Sequence, residues 1–145
     1  MHFLTQELIQ LDAKVNNAKE AIEQAGKLLL DQQLINESYI QAMIDSYEQN
    51  GPYFVLAPHI ALPHARPEDG AKQAAVSMLQ LKKPVPFGHP NNDPVSLVFA
   101  LAAGSNNEHI LVLKKLSTLL GNEEIRYKFM TAKNYEDLQS VIEGD

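Results

Sequence analysis

"VSLVFALAAGSNNEHILVLKKLSTLL", residues 95–120, joins two patterns that belong to different secondary structures. Residues 95–103 are apolar at nearly every position, as a central strand covered on both faces would be. From Asn106 the chain reads as a helix that Gly121 ends, with Asn106 or Asn107 as the expected N-cap. A doubly covered strand running straight into a helix is the repeating unit of an α/β sheet.

The neighbouring segments extend that pattern in both directions. "AAVSMLQL", 74–81, is the second good strand, and "KKPVPFGHPNNDP", 82–94, is a loop or an edge hairpin. Further upstream, "YFVL" (53–56) and "IAL" (60–62) read as short extended pieces, and "LIQLDAKV" (8–15) alternates as a strand does. Two amphipathic helices lie between: "AKEAIEQAGKLLLD", 18–31, capped by Asn17, and a second after Asn36 that "QNGP" stops. "EEIRYKFMTA", 123–132, and "NYEDLQSVIEG", 134–144, are two more helices. Helices and strands alternate with no repeat, linker or low-complexity tract. The expected fold is a single α/β domain over residues 1–145, a mixed β-sheet flanked by helices on both faces.

Composition narrows the function classes. The chain has 145 residues, 45% apolar and 21% charged, which is ordinary for a globular protein. It contains no cysteine, which excludes a disulfide framework, a thiolate metal site and a cysteine nucleophile. A formal charge of −6, with Arg66 and Arg126 as the only arginines, offers no basic face for nucleic acid. The start, "MHFLTQELIQ", has neither a basic n-region nor an unbroken apolar run, and no apolar run is long enough to span a membrane. The expected location is the cytoplasm, without membrane insertion.

Five histidines carry most of the chemistry available. His2 is at the chain end, and His89 is in the Pro/Asn-rich loop, where a solvated ring is the ordinary state. His59 and His64 are five apart; in extended chain an odd separation sends them to opposite faces, about 17 Å apart. They would not chelate one metal without a turn between them, no HExxH-type spacing occurs, and no metal or cofactor is expected.

His64 has a distinctive setting in "IALPHARPEDGA", residues 60–71. Pro63 disfavours helix at Leu62 and cannot donate to a sheet ladder. The short strand should therefore end there and deliver His64 on a stiff loop, with Arg66 two residues on. His109 falls in the first turn of the helix that follows the central strand. Ligands of α/β sheets bind beyond the carboxyl ends of strands, and helix N-termini favour anions. Two histidines and an arginine so placed suit a transient phosphoryl group, with a neutral His64 as acceptor and His109 as an N–H donor. Which ring nitrogen of His64 would attack is not readable from sequence. A hydrolase with His64 as general base would need a GxSxG elbow or a metal, and nucleotide hydrolysis a GxxxxGK[ST] loop; neither motif occurs.

"NGPYFVLAPHIALPHARPEDGA", "FGHPNNDPVSLVFALAA" and "NNEHILVLKKLSTLL" together resemble the EIIA components of the bacterial phosphoenolpyruvate-dependent sugar phosphotransferase system. The resemblance is to the mannitol/fructose/nitrogen family, most closely its ascorbate branch, and runs over nearly the whole chain. It implies a phosphohistidine at His64, the histidine of the "PH" motif, and a second active-site histidine at His109. It also implies a phosphoryl taken from the histidine of HPr and passed to a cysteine on a separate EIIB, with the membrane EIIC served indirectly. A phosphotransferase component for ascorbate or a related sugar acid is the resulting expectation. A regulatory module whose histidine phosphorylation controls a protein partner is the alternative.

The chain departs from that family pattern in two places. Mannitol-type relatives carry a phosphate-holding arginine where "AMIDSY" has Ser46. Arg66 is a candidate to take over the charge, in a direction the sequence does not show. His59 stands where close relatives are expected to have glycine, either as a harmless substitution or as a residue lining the same cleft. Partner docking calls for an apolar rim, for which Phe54, Leu62 and Phe87 are the candidates.

Overall fold

A computed structural model of the chain describes residues 1–143. Its spine is an antiparallel pair, β4 (Ala75–Val85) and β5 (Val95–Ala102), in which Ala75 faces Ala102 and Gln80 faces Leu97. β1 (His2–Phe3) and β2 (Ile9–Ala13) both run parallel to β4, while β3 (Ile60–Ala61) runs parallel to β5. The sheet order is thus β1–β4–β5–β3, with β2 also on the β4 edge.

Strand periodicity sorts the two cores. Ala75 and Leu79 of β4, with Val98, Ala100 and Ala102 of β5, pack with the helices α1 (Ala18–Asp31) and α2 (Glu37–Asn50). The alternate residues Val76, Met78, Leu97, Phe99 and Leu101 pack with α3 (Asn106–Leu120), α4 (Glu123–Thr131) and α5 (Glu136–Glu143). Each face is sealed by a buried polar side chain with its own partner. Ser77 Oγ donates to the Ala25 carbonyl at 2.7 Å, and Gln80 Nε2 donates to the Phe129 and Ala132 carbonyls at 3.0 and 3.1 Å. Helices on both faces of a mixed sheet are what the alternating pattern predicts.

Local signals explain most boundaries. Asn17 caps α1, its side chain accepting the Glu20 N–H at 2.9 Å, and Gly51 stops α2 with φ at 79°. Other expectations are corrected. The 53–56 segment is a turn: Val55 N–H donates to the Pro52 carbonyl at 3.1 Å, and Phe54 is buried against Tyr47 and Phe87. A four-residue apolar run marks burial without fixing the backbone. The 8–15 strand shortens to β2, preceded by a tight turn at Gln6–Leu8. β4 continues through Pro84 to Val85, where exposed residues leave a proline tolerable. The His2 ring is exposed, as expected, with Nε2 2.9 Å from Gln73 Oε1, while its N–H donates to the Ala74 carbonyl at 2.9 Å. The last helix begins at Glu136, and the expected end at Gly144 lies outside the described residues.

Phe54, Leu62 and Phe87 are buried, so they are core and not a docking rim. The exposed large apolar residues include Tyr53, Leu56, Ile110 and Leu111. Among the described residues no helix is long and apolar enough to cross a membrane.

Candidate functional site

Parallel pairing brings the carboxyl ends of β3 and β5 to one edge. His64 continues the β3 register, pairing with Leu101, and the Leu101 N–H donates to the Pro63 carbonyl at 3.1 Å. β5 then feeds α3 after three residues, so His109 arrives on the same side. The two imidazoles stand with ring centres 5.0 Å apart, and Tyr53 meets the His64 ring edge-on at 6.2 Å. They line an open cleft of about 540 Å³ with Asp45, Ser46, Arg66 and Asn106.

The N-cap of α3 is Ser105, one residue before Asn106 and two before Asn107, the asparagines expected for it. Its hydroxyl accepts the Glu108 N–H at 3.2 Å, and Glu108 Oε1 accepts the Gly104 N–H at 2.7 Å. That reciprocal arrangement satisfies two donors at once. The Asn106 and Asn107 N–H groups have no partner within the helix and give the cleft an anion-attracting end.

The His64 ring has its orientation fixed by its own backbone. Nδ1 lies 2.8 Å from the Leu62 carbonyl oxygen. A carbonyl only accepts, so Nδ1 carries the proton and the neutral ring keeps its lone pair on Nε2. Partial burial, and secondarily the charge of His64, hold the His109 ring below the usual histidine range, so it is neutral near pH 7.

Arg66 and His59 are placed differently from each other. Arg66 lines the cleft, but its Nε turns to Asp69 Oδ2 at 3.5 Å, with Glu68 Oε2 at 4.0 Å. Its backbone N–H also donates to Asp69 Oδ2 at 3.0 Å, so the guanidinium belongs to a turn at the rim. His59 sits at the opposite, amino end of β3 and does not line the cleft. Its φ of 70° accounts for the glycine expected there, and its Nδ1 bonds the Pro94 carbonyl at 2.7 Å. His89 Nδ1 accepts the Asn91 and Asn92 N–H groups within its own loop. Ser46 bonds Tyr53, hydroxyl to hydroxyl at 3.0 Å, so neutral groups occupy that part of the cleft. Tyr53 has no spacing signal in the sequence and enters the site only through the turn at 53–56. Among the described residues, no cluster of three or more His, Cys, Asp or Glu side chains is placed to hold a metal ion.

A strand-end histidine with one free ring nitrogen, facing a second histidine at a helix start, defines a shallow site for handling a small anion. The family model described as "Phosphoenolpyruvate-dependent sugar phosphotransferase system, EIIA 2" matches residues 2–144, and the chain belongs to that family. It is 44% identical over 101 residues to the "Ascorbate-specific PTS system EIIA component" of Salmonella choleraesuis, covering 70% of this chain and 66% of that protein, just under two thirds of its length. It is 43% identical over 125 residues to the "Mannitol-specific cryptic phosphotransferase enzyme IIA component" of Escherichia coli K12, covering 86% and 84%. Among solved structures, a chain in the complex of enzyme IIAMtl and phosphorylated enzyme IIBMtl from Escherichia coli superposes with a TM-score of 0.85. The two chains are 30% identical, with 99% of each covered.

Proposed function

We propose that residues 1–145 form one cytoplasmic phosphocarrier domain that accepts a phosphoryl group on Nε2 of His64. The donor is the phosphohistidine of HPr, the acceptor a cysteine of a separate EIIB, and EIIC is served only through EIIB. The observation that carries this reading is the Nδ1 hydrogen bond to Leu62 beside the His109 ring 5.0 Å away.

The Nε2 lone pair forms a bond to phosphorus as the donor's N–P bond breaks, and the donor ring departs with that electron pair. The proton stays on Nδ1 throughout, donated to the Leu62 carbonyl. A thiolate of the acceptor then attacks phosphorus, the Nε2–P bond breaks, and His64 leaves as neutral imidazole, a far better leaving group than imidazolate. His109 donates an N–H to the phosphoryl oxygens, and the α3 N-terminus adds backbone donors. Arg66 contributes charge from the rim. His59 has no contact with the transferred group.

Ascorbate or a related sugar acid is the proposed cargo of the pathway, supported by the ascorbate-specific relative. The mannitol-specific relative is as similar over a longer stretch, so a test of cargo must offer both kinds of EIIB. The decisive experiment feeds phosphoenolpyruvate through enzyme I and HPr and weighs the product by mass spectrometry. One acid-labile phosphoryl group should appear on wild type, be absent from His64→Ala, and form slowly on His109→Ala. An unlabelled wild type, or a labelled His64→Ala, would sink the reading.

A further inference from the structure

Tyr39 lies on α2, far from solvent at 1% exposure, and touches neither imidazole's side of the cleft directly. Its hydroxyl nevertheless sits in the hydrogen-bond ladder that presents His64. In a parallel pair, the residue after a paired one donates its N–H to the partner's carbonyl. With His64 opposite Leu101, that next bond would run from the Ala65 N–H to the Leu101 carbonyl. The phenol stands between them: it accepts the Ala65 N–H at 3.1 Å and donates to the Leu101 carbonyl at 2.7 Å. A phenol has one hydrogen, and the short contact takes it; the Ala65 carbonyl, at 3.2 Å, is the alternative acceptor.

We propose that Tyr39 is a positioning residue for His64, its hydroxyl wedged between β5 and the chain just past the histidine so that the ring faces His109. The proposal rests on His64 as the phosphoryl acceptor. On the near side of His64 the chain is held by Leu62 N–H on the Phe54 carbonyl at 3.0 Å and by Pro63 on Leu101. On the far side, Ala65 on Tyr39 is the next hold before the Arg66–Asp69 turn. Burial pushes the Tyr39 phenol up to about 12, against a smaller lowering by its Ala65 bond, so it remains a donor at physiological pH. Without the hydroxyl, the Ala65 N–H loses its acceptor and the chain just past His64 loses its hold on β5. The loop is then free to shift, and the ring turns from its partner. Misplacement of a reacting group by about 1 Å can cost up to about a hundredfold in rate.

Tyr39→Phe tests this, with Ile22→Val, a buried change on α1 remote from the cleft, as the control for lost stability. Phosphoryl uptake from phosphorylated HPr should show kcat reduced on the order of tenfold in Tyr39→Phe, with KM within about twofold of wild type. The His64 ring nitrogen signals in NMR should shift in Tyr39→Phe and not in Ile22→Val. Wild-type kcat with unchanged ring signals in Tyr39→Phe would overturn the proposal. Should Tyr39→Phe fail to fold, amide exchange in the wild type decides: a protected Ala65 N–H supports the wedge, and exchange at the rate of an open loop overturns it. A wild type that accepts no phosphoryl, yet shows the protected amide, would instead overturn the carrier reading.

Discussion

Replacing Ser105 separates two things that the start of α3 does: holding His109 in place and attracting an anion. In Ser105→Ala the Glu108 N–H loses its 3.2 Å acceptor, while the Glu108 carboxylate still receives Gly104. Loss of a serine N-cap costs about 1 kcal/mol, and for a chain of this size that lowers Tm by roughly 3 °C. The first buried residue of α3 is Val112, so the turn carrying His109 depends on the cap more than on packing. Fraying there should slow phosphoryl uptake about fivefold, since 1 kcal/mol corresponds to that factor. Ser105→Asp keeps a capping acceptor and should stay within about 0.5 kcal/mol of wild type in stability. Its carboxylate, however, opposes a phosphoryl dianion at the same helix end, at a cost of up to about 1 kcal/mol. Urea denaturation and stopped-time labelling of the three proteins read both effects. The reasoning fails if Ser105→Ala leaves both unchanged, or if Ser105→Asp accepts phosphoryl as fast as wild type.

Two further outcomes are expected. Because the folded His109 ring titrates below the ordinary histidine value of about 6.5, the unfolded chain takes up that proton first as pH falls. The contribution to stability is intact above that value and declines as pH drops toward the lowered one, so His109→Gln should flatten the acid limb of a stability–pH curve; an equally steep limb would refute the assignment. His59→Gly relieves a left-handed backbone worth about 1 kcal/mol and gives up the ring's bond to Pro94, worth about as much. Stability should change by less than about 1 kcal/mol, with transfer at the wild-type rate, and a loss of transfer beyond twofold would place His59 in the site after all.

How much was legible follows from the range of the forces involved. Caps, helix stripes and doubly apolar strands are local, so α1, α2, β4 and β5 stand out along the chain, as does the "PH" histidine that proline stiffens. His109 is legible too, because a strand-to-helix junction places the helix's first turn at the sheet's edge. The register that sets the His64 ring 5.0 Å from His109 is a long-range matter, fixed by β3 lying parallel on β5. So is the turn at 53–56, which looks like strand because burial of Phe54 and Val55 is written in composition while backbone direction is not. The proton on Nδ1 is held there by a carbonyl two residues back that accepts it, a contact set by the shape of the loop. Tyr39 carries no motif or spacing that marks it in the sequence. Only the assembled fold sets its hydroxyl between β5 and the His64 loop, because that position is defined by α2, β5 and the loop together.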